Sequence, residues 1–143
     1  MHLIMNGLAG LVLGWAAFPA LFVGLLLQAV FFGFGGLTVL GVNCVLIAGP
    51  AVIVHYLCLP GVKRGSPRQA AMWGALAGGL SLLLTALFVV GALLLTGQEF
   101  MLAAKLVVLA HIPVVLVEAV ICGAAVYLTR QVKPELFDVM EAA

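Results

Sequence analysis

The sequence predicts an all-α, polytopic transmembrane helix bundle, with about four full spans and a partial helix at the N-terminus. Three observations predict it. Of the 143 residues, 66% are hydrophobic and only 8% charged, where soluble domains carry roughly 25% charged residues. The charges are clumped: no Asp, Glu, Lys or Arg occurs in 1–62 or in 69–98, and about 18 apolar residues suffice for one crossing of a bilayer. Strand-like alternation is missing, and in lipid only helices and closed barrels satisfy their own backbone groups. The same arithmetic excludes a water-soluble enzyme, whose surface so few charges could not cover, and a disordered tail. A net charge of +1 gives no basic footprint for nucleic acid.

The elements follow from the apolar runs and their punctuation, within one transmembrane domain over residues 1–143. Leu3 to Leu13 is apolar but short, about half of a 30 Å hydrocarbon core at about 1.5 Å per residue. It is either re-entrant or the end of a longer helix. Trp15, Phe18 and Pro19 mark a turn at an interface, and a second helix covers about Ala16 to Phe32. The glycine-rich break Gly33-Phe34-Gly35-Gly36 follows. A third helix covers about Leu37 to Leu59, with an interruption at Gly49-Pro50. Lys63, Arg64, Ser66, Pro67 and Arg68 make the one strongly polar loop. A fourth helix is expected over about Ala70 to Thr96, and a fifth, containing Pro113, over about Phe100 to Leu128. A short polar tail ends the chain. Gly74 and Gly78 form a GxxxG pair on the fourth helix, read as close packing inside the bundle.

The basic residues orient the chain. The loop at 63–68 and the pair Arg130 and Lys133 are separated by two spans, so both lie on one side, and the positive-inside rule makes that side cytoplasmic. The N-terminus is then outside and the C-terminus inside. Cys44, Cys58 and Cys122 show no metal-binding or disulfide spacing and read as small buried side chains.

Ionisable groups inside apolar spans are expensive and therefore functional candidates. Glu118 must face the bundle interior, pair with a donor or stay protonated. His111, seven residues earlier, lies near the same helical face but about 10 Å along the axis. Together they line a polar stripe, as a contact between helices or as part of a transport path. Lys105 can snorkel to the outer interface, and His55, near the basic loop, reads as an interfacial histidine. At the N-terminus, the Met1 amine, the His2 amide and the His2 imidazole form one short covalent unit able to chelate a metal, in a nitrogen field that suits Ni(II) or Cu(II). Asn6, four positions on, shares a helical face with His2.

The stretch Leu27-Gln28-Ala29-Val30-Phe31-Phe32-Gly33-Phe34-Gly35-Gly36-Leu37-Thr38-Val39-Leu40-Gly41-Val42-Asn43 resembles the central signature of the CbiM/NikM family, the substrate-capture membrane subunits of energy-coupling-factor cobalt and nickel transporters. His2-Leu3-Ile4-Met5-Asn6-Gly7 is similar to that family's His-Leu-x-x-Asn-Gly segment. Ala110-His111-Ile112-Pro113 with Glu118, then Val132-Lys133-Pro134-Glu135-Leu136, resembles its C-terminal segment. The resemblance implies a multi-pass protein of a prokaryotic plasma (inner) membrane that binds Co(II) or Ni(II) as transported substrate near the outer face. It implies that His2 is a metal ligand, with the Met1 amine as a second candidate, and that Asn6, Asn43, His111 and Glu118 support or couple the site. It also implies partners: a transmembrane coupling subunit, cytoplasmic ATPase subunits and a small accessory membrane subunit. The chain has no GxxxxGK[ST] loop, so ATP hydrolysis is expected in those partners.

Two departures from the family pattern stand out. By alignment His2 matches the family's inner histidine, so the family's N-terminal region, with its own Met-His start, is expected to be missing. After Asn43, Cys44-Val45-Leu46-Ile47 replaces a more polar Asn-Met pattern. Two rival readings remain at this stage. One is a small scaffold or regulatory membrane protein that has lost metal capture. The other is a membrane enzyme using His111 and Glu118 as an acid/base pair, which requires them within about 3 Å of one another or of a shared pocket.

Overall fold

A computed structural model describes residues 5–33 and 36–139. Among the described residues six α-helices follow one another: α1 (Asn6–Leu13), α2 (Ala17–Phe32), α3 (Leu40–Arg64), α4 (Pro67–Thr96), α5 (Met101–Val132) and the short α6 (Leu136–Val139). Single 3₁₀ turns at Gly14–Ala16 and Gln98–Phe100 join α1 to α2 and α4 to α5. Among the described residues four stretches are long and apolar enough to cross a membrane, Asn6–Phe32, Leu40–Arg64, Pro67–Thr96 and Gln98–Val132. The architecture is the predicted all-α polytopic bundle.

Local chemistry sets most of the boundaries. Gly33 ends α2 in the left-handed region (φ 67°) and donates its N–H to the Ala29 carbonyl, the usual helix stop where a side chain would be strained. Ser66 and Gln69 form a reciprocal capping box at the start of α4, and Pro67 occupies the first helical position, where its missing N–H costs nothing. At the same end, Arg130 Nη2 donates to the carbonyls of Lys63 (3.2 Å) and Gly65 (2.9 Å). A guanidinium here satisfies carbonyls that the end of α3 leaves open and complements its negative dipole end. The two basic clusters therefore meet at one end of the bundle.

Three expectations are corrected. α3 is not interrupted at Gly49-Pro50 but runs through both Pro50 and Pro60, because in a bundle neighbouring groups re-satisfy the backbone that proline frees. Lys63 and Arg64 are its last turn, not part of a loop. The C-terminal tail is not simply polar: α6 carries Phe137, which is buried in the core.

The first 27 described helical residues are not one straight rod. Asn6 meets Ile47, Gly10 meets Ala51 and Gly14 meets His55, so α1 runs parallel to α3. By Phe18 the chain is back beside Cys44. It has reversed at Gly14, whose φ of 55° and ψ of −124° only glycine adopts readily. α1, about 12 Å long, thus turns back at Gly14, and α2 is the returning helix. α1 lies in the groove between α3 and α4, and the approach is close: a Cβ on Gly10 would collide with the Ala51 carbonyl. α4 and α5 close against each other through small residues, with Gly74 facing Val126 and Gly78 facing Cys122. The GxxxG pair is bundle packing.

Candidate functional site

The first turn of α1 lies at the polar centre of the molecule. Asn6 is fully buried. Its Nδ2 donates to the Ile47 carbonyl of α3 (3.2 Å) and to Thr85 Oγ1 of α4 (2.9 Å), while its Oδ1 accepts from Ser81 Oγ (3.1 Å). One side chain so ties α1 to both neighbours.

The hydroxyls are themselves anchored: Ser81 Oγ lies 2.9 Å from the Gly78 carbonyl and Thr85 Oγ1 donates to the Ser81 carbonyl at 2.9 Å. Gly78 in turn packs against the turn of α5 that carries Glu118; a Cβ there would sit 2.8 Å from the Glu118 carbonyl oxygen. Glu118 is fully buried, as the sequence required of a carboxyl in a lipid-exposed span. Ser81 is 14 residues from Pro67 and 15 from Thr96, about 21 and 22 Å of helix. The cluster is therefore near the middle of α4.

A second polar contact holds the far end of α1. His55, buried on α3, donates Nδ1–H to the Gly10 carbonyl at 2.8 Å, and its ring packs on Gly14. The expectation of an interfacial histidine is corrected: eight residues from Lys63, about 12 Å of helix, His55 faces inward because the reversal at Gly14 brings a carbonyl to it. Outside this contact, Trp15 Nε1 donates to Tyr56 Oη at 2.7 Å and Trp15 stacks on Phe18, an exposed aromatic patch beside the turn.

The other candidates are dispersed. Met1 and His2, the proposed ligands, lie outside the described residues, as do Phe34 and Gly35 of the glycine-rich break. Asn43 stands partly exposed in the first turn of α3. His111 donates Nδ1–H to Val107 of its own helix at 2.7 Å, and Lys105 is exposed near the start of α5. Among the described residues no three His, Cys, Asp or Glu gather closely enough to hold a metal ion. Sequence reasoning missed Ser81 and Thr85. Their i, i+4 spacing on an otherwise apolar helix was the available signal.

Comparison with known proteins adds to this geometry. Residues 1–136 match the family described as the cobalt uptake substrate-specific transmembrane region. A putative metal transport protein of Haemophilus influenzae is 40% identical over 144 aligned positions, covering 96% of this chain and 68% of that protein. The fused nickel transport protein NikMN of Rhodobacter capsulatus is 46% identical over 78, covering 51% of this chain and 22% of that protein. No solved structure gives a significant match. With a family match over nearly its whole length and a bundle of long apolar helices around a buried polar centre, the chain belongs to the CbiM/NikM-like family of cobalt and nickel transport membrane proteins.

Proposed function

We propose that the chain is the substrate-binding component of an energy-coupling-factor importer for cobalt or nickel ions, supplying cobalamin biosynthesis or nickel enzymes. The family match over residues 1–136 carries this reading. The polar centre supports it: Asn6 is pinned on three sides by hydrogen bonds, and His2 precedes it by four residues in the sequence. In this reading Asn6 fixes the start of α1 so that His2, with the Met1 amine as a second donor, meets the ion in the outer half of the membrane. Glu118, fully buried on the turn of α5 that packs against Gly78, places a carboxyl-bearing residue beside the same centre. The N-terminus faces out and the C-terminus in, as the shared end of the two basic clusters suggests. A transmembrane coupling subunit, two cytoplasmic ATPase subunits and a small accessory membrane subunit supply the energy and release.

The test is uptake of labelled Co(II) and Ni(II) by cells that make the chain together with coupling and ATPase subunits. His2→Ala, at equal membrane abundance, should lower uptake at least tenfold. Undiminished uptake would refute the ligand role. No uptake by the unaltered chain would favour the rival reading, a regulatory scaffold that has lost metal capture.

A further inference from the structure

Every Trp and Tyr of the chain lies toward one end of the bundle. The sequence has two of each, Trp15, Trp73, Tyr56 and Tyr127. Five of its six Lys and Arg residues, Lys63, Arg64, Arg68, Arg130 and Lys133, stand at that same end. Trp15 is bonded to Tyr56, Trp73 packs on Gly61 of α3, and Gly74 beside it faces Val126, the neighbour of Tyr127. Tyr56 and Gly61 are about five residues of helix apart, so the four rings share a band about 8 Å deep. Trp and Tyr settle where hydrocarbon meets headgroups. The band therefore marks one membrane interface, with the basic residues on its water side.

Between these rings an open lane runs along α3. Ile53, Leu57, Pro60 and Arg64 are all exposed, and their spacing puts them on one helical face. Tyr56 and Gly61 fall about 70° to either side of that face, at about 100° per residue. Tyr56 holds Trp15 on one edge. Gly61 seats Trp73 on the other, where a Cβ would collide with the indole. The lane is thus floored by aliphatic side chains, walled by two indoles and headed by a guanidinium. From Ile53 to Arg64 it is about 16 Å long, close to half of a 30 Å hydrocarbon core. That is the depth of one leaflet's acyl chains. At its head α4 starts with Pro67 and Arg68, so a second guanidinium and the positive end of a helix dipole stand close to Arg64. The head of the lane attracts a phosphate, and its length suits an acyl chain.

We propose that this lane binds one anionic phospholipid of the leaflet at the basic end. The phosphate meets Arg64, with Arg68 beside it. One acyl chain lies along Pro60, Leu57 and Ile53, between Trp73 and Trp15. Arg64 sets the preference for an anionic headgroup over a zwitterionic one at about fivefold, the equivalent of about 1 kcal/mol for one basic residue at an anionic surface. The site depends neither on metal transport nor on which side of the membrane the basic end faces.

Trp15 and Trp73 are the two tryptophans of the chain, so its own fluorescence reads the lane. The purified full chain is placed in phosphatidylcholine nanodiscs that contain a rising share of brominated phosphatidylglycerol or brominated phosphatidylcholine, whose bromines quench an indole they touch. Trp15→Phe leaves Trp73 as the reporter, and Trp73→Phe leaves Trp15. At each indole, half-quenching should need about fivefold less phosphatidylglycerol than phosphatidylcholine. Arg64→Gln should bring the two lipids to parity. Lys133→Gln removes the same charge at the same end, but it follows α5, which packs chiefly on α4 and not along α3, so it should keep the preference. Equal quenching by the two lipids at either indole overturns the proposal. So does an equal loss of preference in Lys133→Gln and Arg64→Gln, which would mark a general basic field with no site. Indoles that neither lipid quenches also overturn it, because a second copy of the chain then covers the lane.

Discussion

Removing the Asn6 amide tests whether the polar centre holds α1 in place. Asn6→Ala deletes three hydrogen bonds at once, to Ile47, Thr85 and Ser81. Between membrane helices such bonds average about 0.6 kcal/mol and reach about 1.7, so three give a range of about 2 to 5 kcal/mol. The lower end applies here. Ser81 can still donate to the Gly78 carbonyl and Thr85 still donates to the Ser81 carbonyl, so neither hydroxyl is orphaned. The expected loss is about 2 kcal/mol, and at about 2–4 °C per kcal/mol for a chain of this size the midpoint falls by about 4–8 °C. Unfolding of the purified protein in lipid nanodiscs measures it. Thr85→Val, which removes one of the three bonds, should cost about a third as much. The double variant should cost less than the two losses added, because both act on one bond. A loss below about 0.5 kcal/mol for Asn6→Ala, or strict additivity with Thr85→Val, would refute the reasoning.

Two further outcomes follow from the packing of α1. Gly10→Ala places a methyl against the Ala51 carbonyl, and overpacking against backbone that cannot swing aside should destabilise by about 1–3 kcal/mol, read by the same nanodisc unfolding. His55→Ala removes the bond to the Gly10 carbonyl and should cost about 1 kcal/mol, while hydrogen exchange at the amides of 10–16 rises and that of α4 and α5 does not; unchanged exchange in the turn would show that His55 does not hold it.

The turn at Gly14 shows what could be read ahead of the structure. An apolar segment too short to cross, followed by Trp15, Phe18 and Pro19, already allowed a re-entrant limb. Which way α1 ran could not be read, because it depends on Gly10 meeting Ala51 and Gly14 meeting His55, contacts more than 40 residues apart in sequence. His55 was misplaced for the same reason: its distance from Lys63 is local information, but the carbonyl that draws it inward comes from another helix. Pro50 misled in a different way. In water a proline mid-helix breaks the helix, whereas among packed membrane helices α3 runs through both Pro50 and Pro60.

By itself the sequence determined that this chain is a helical membrane bundle, how many long apolar helices it has, which residues are too polar for lipid, and, through its glycine-rich signature, which family it belongs to. These are properties of composition, run length and local order, and they do not depend on the partner that each helix finds. Tertiary structure alone decided that Asn6 would meet Ser81 and Thr85, that α1 would turn back inside the bundle, and that Phe137 would leave a polar tail for the core. In helices apolar on nearly every side, hydropathy marks no inward face. The choice falls to glycine-sized gaps and a few hydrogen bonds, which exist only once the helices are side by side.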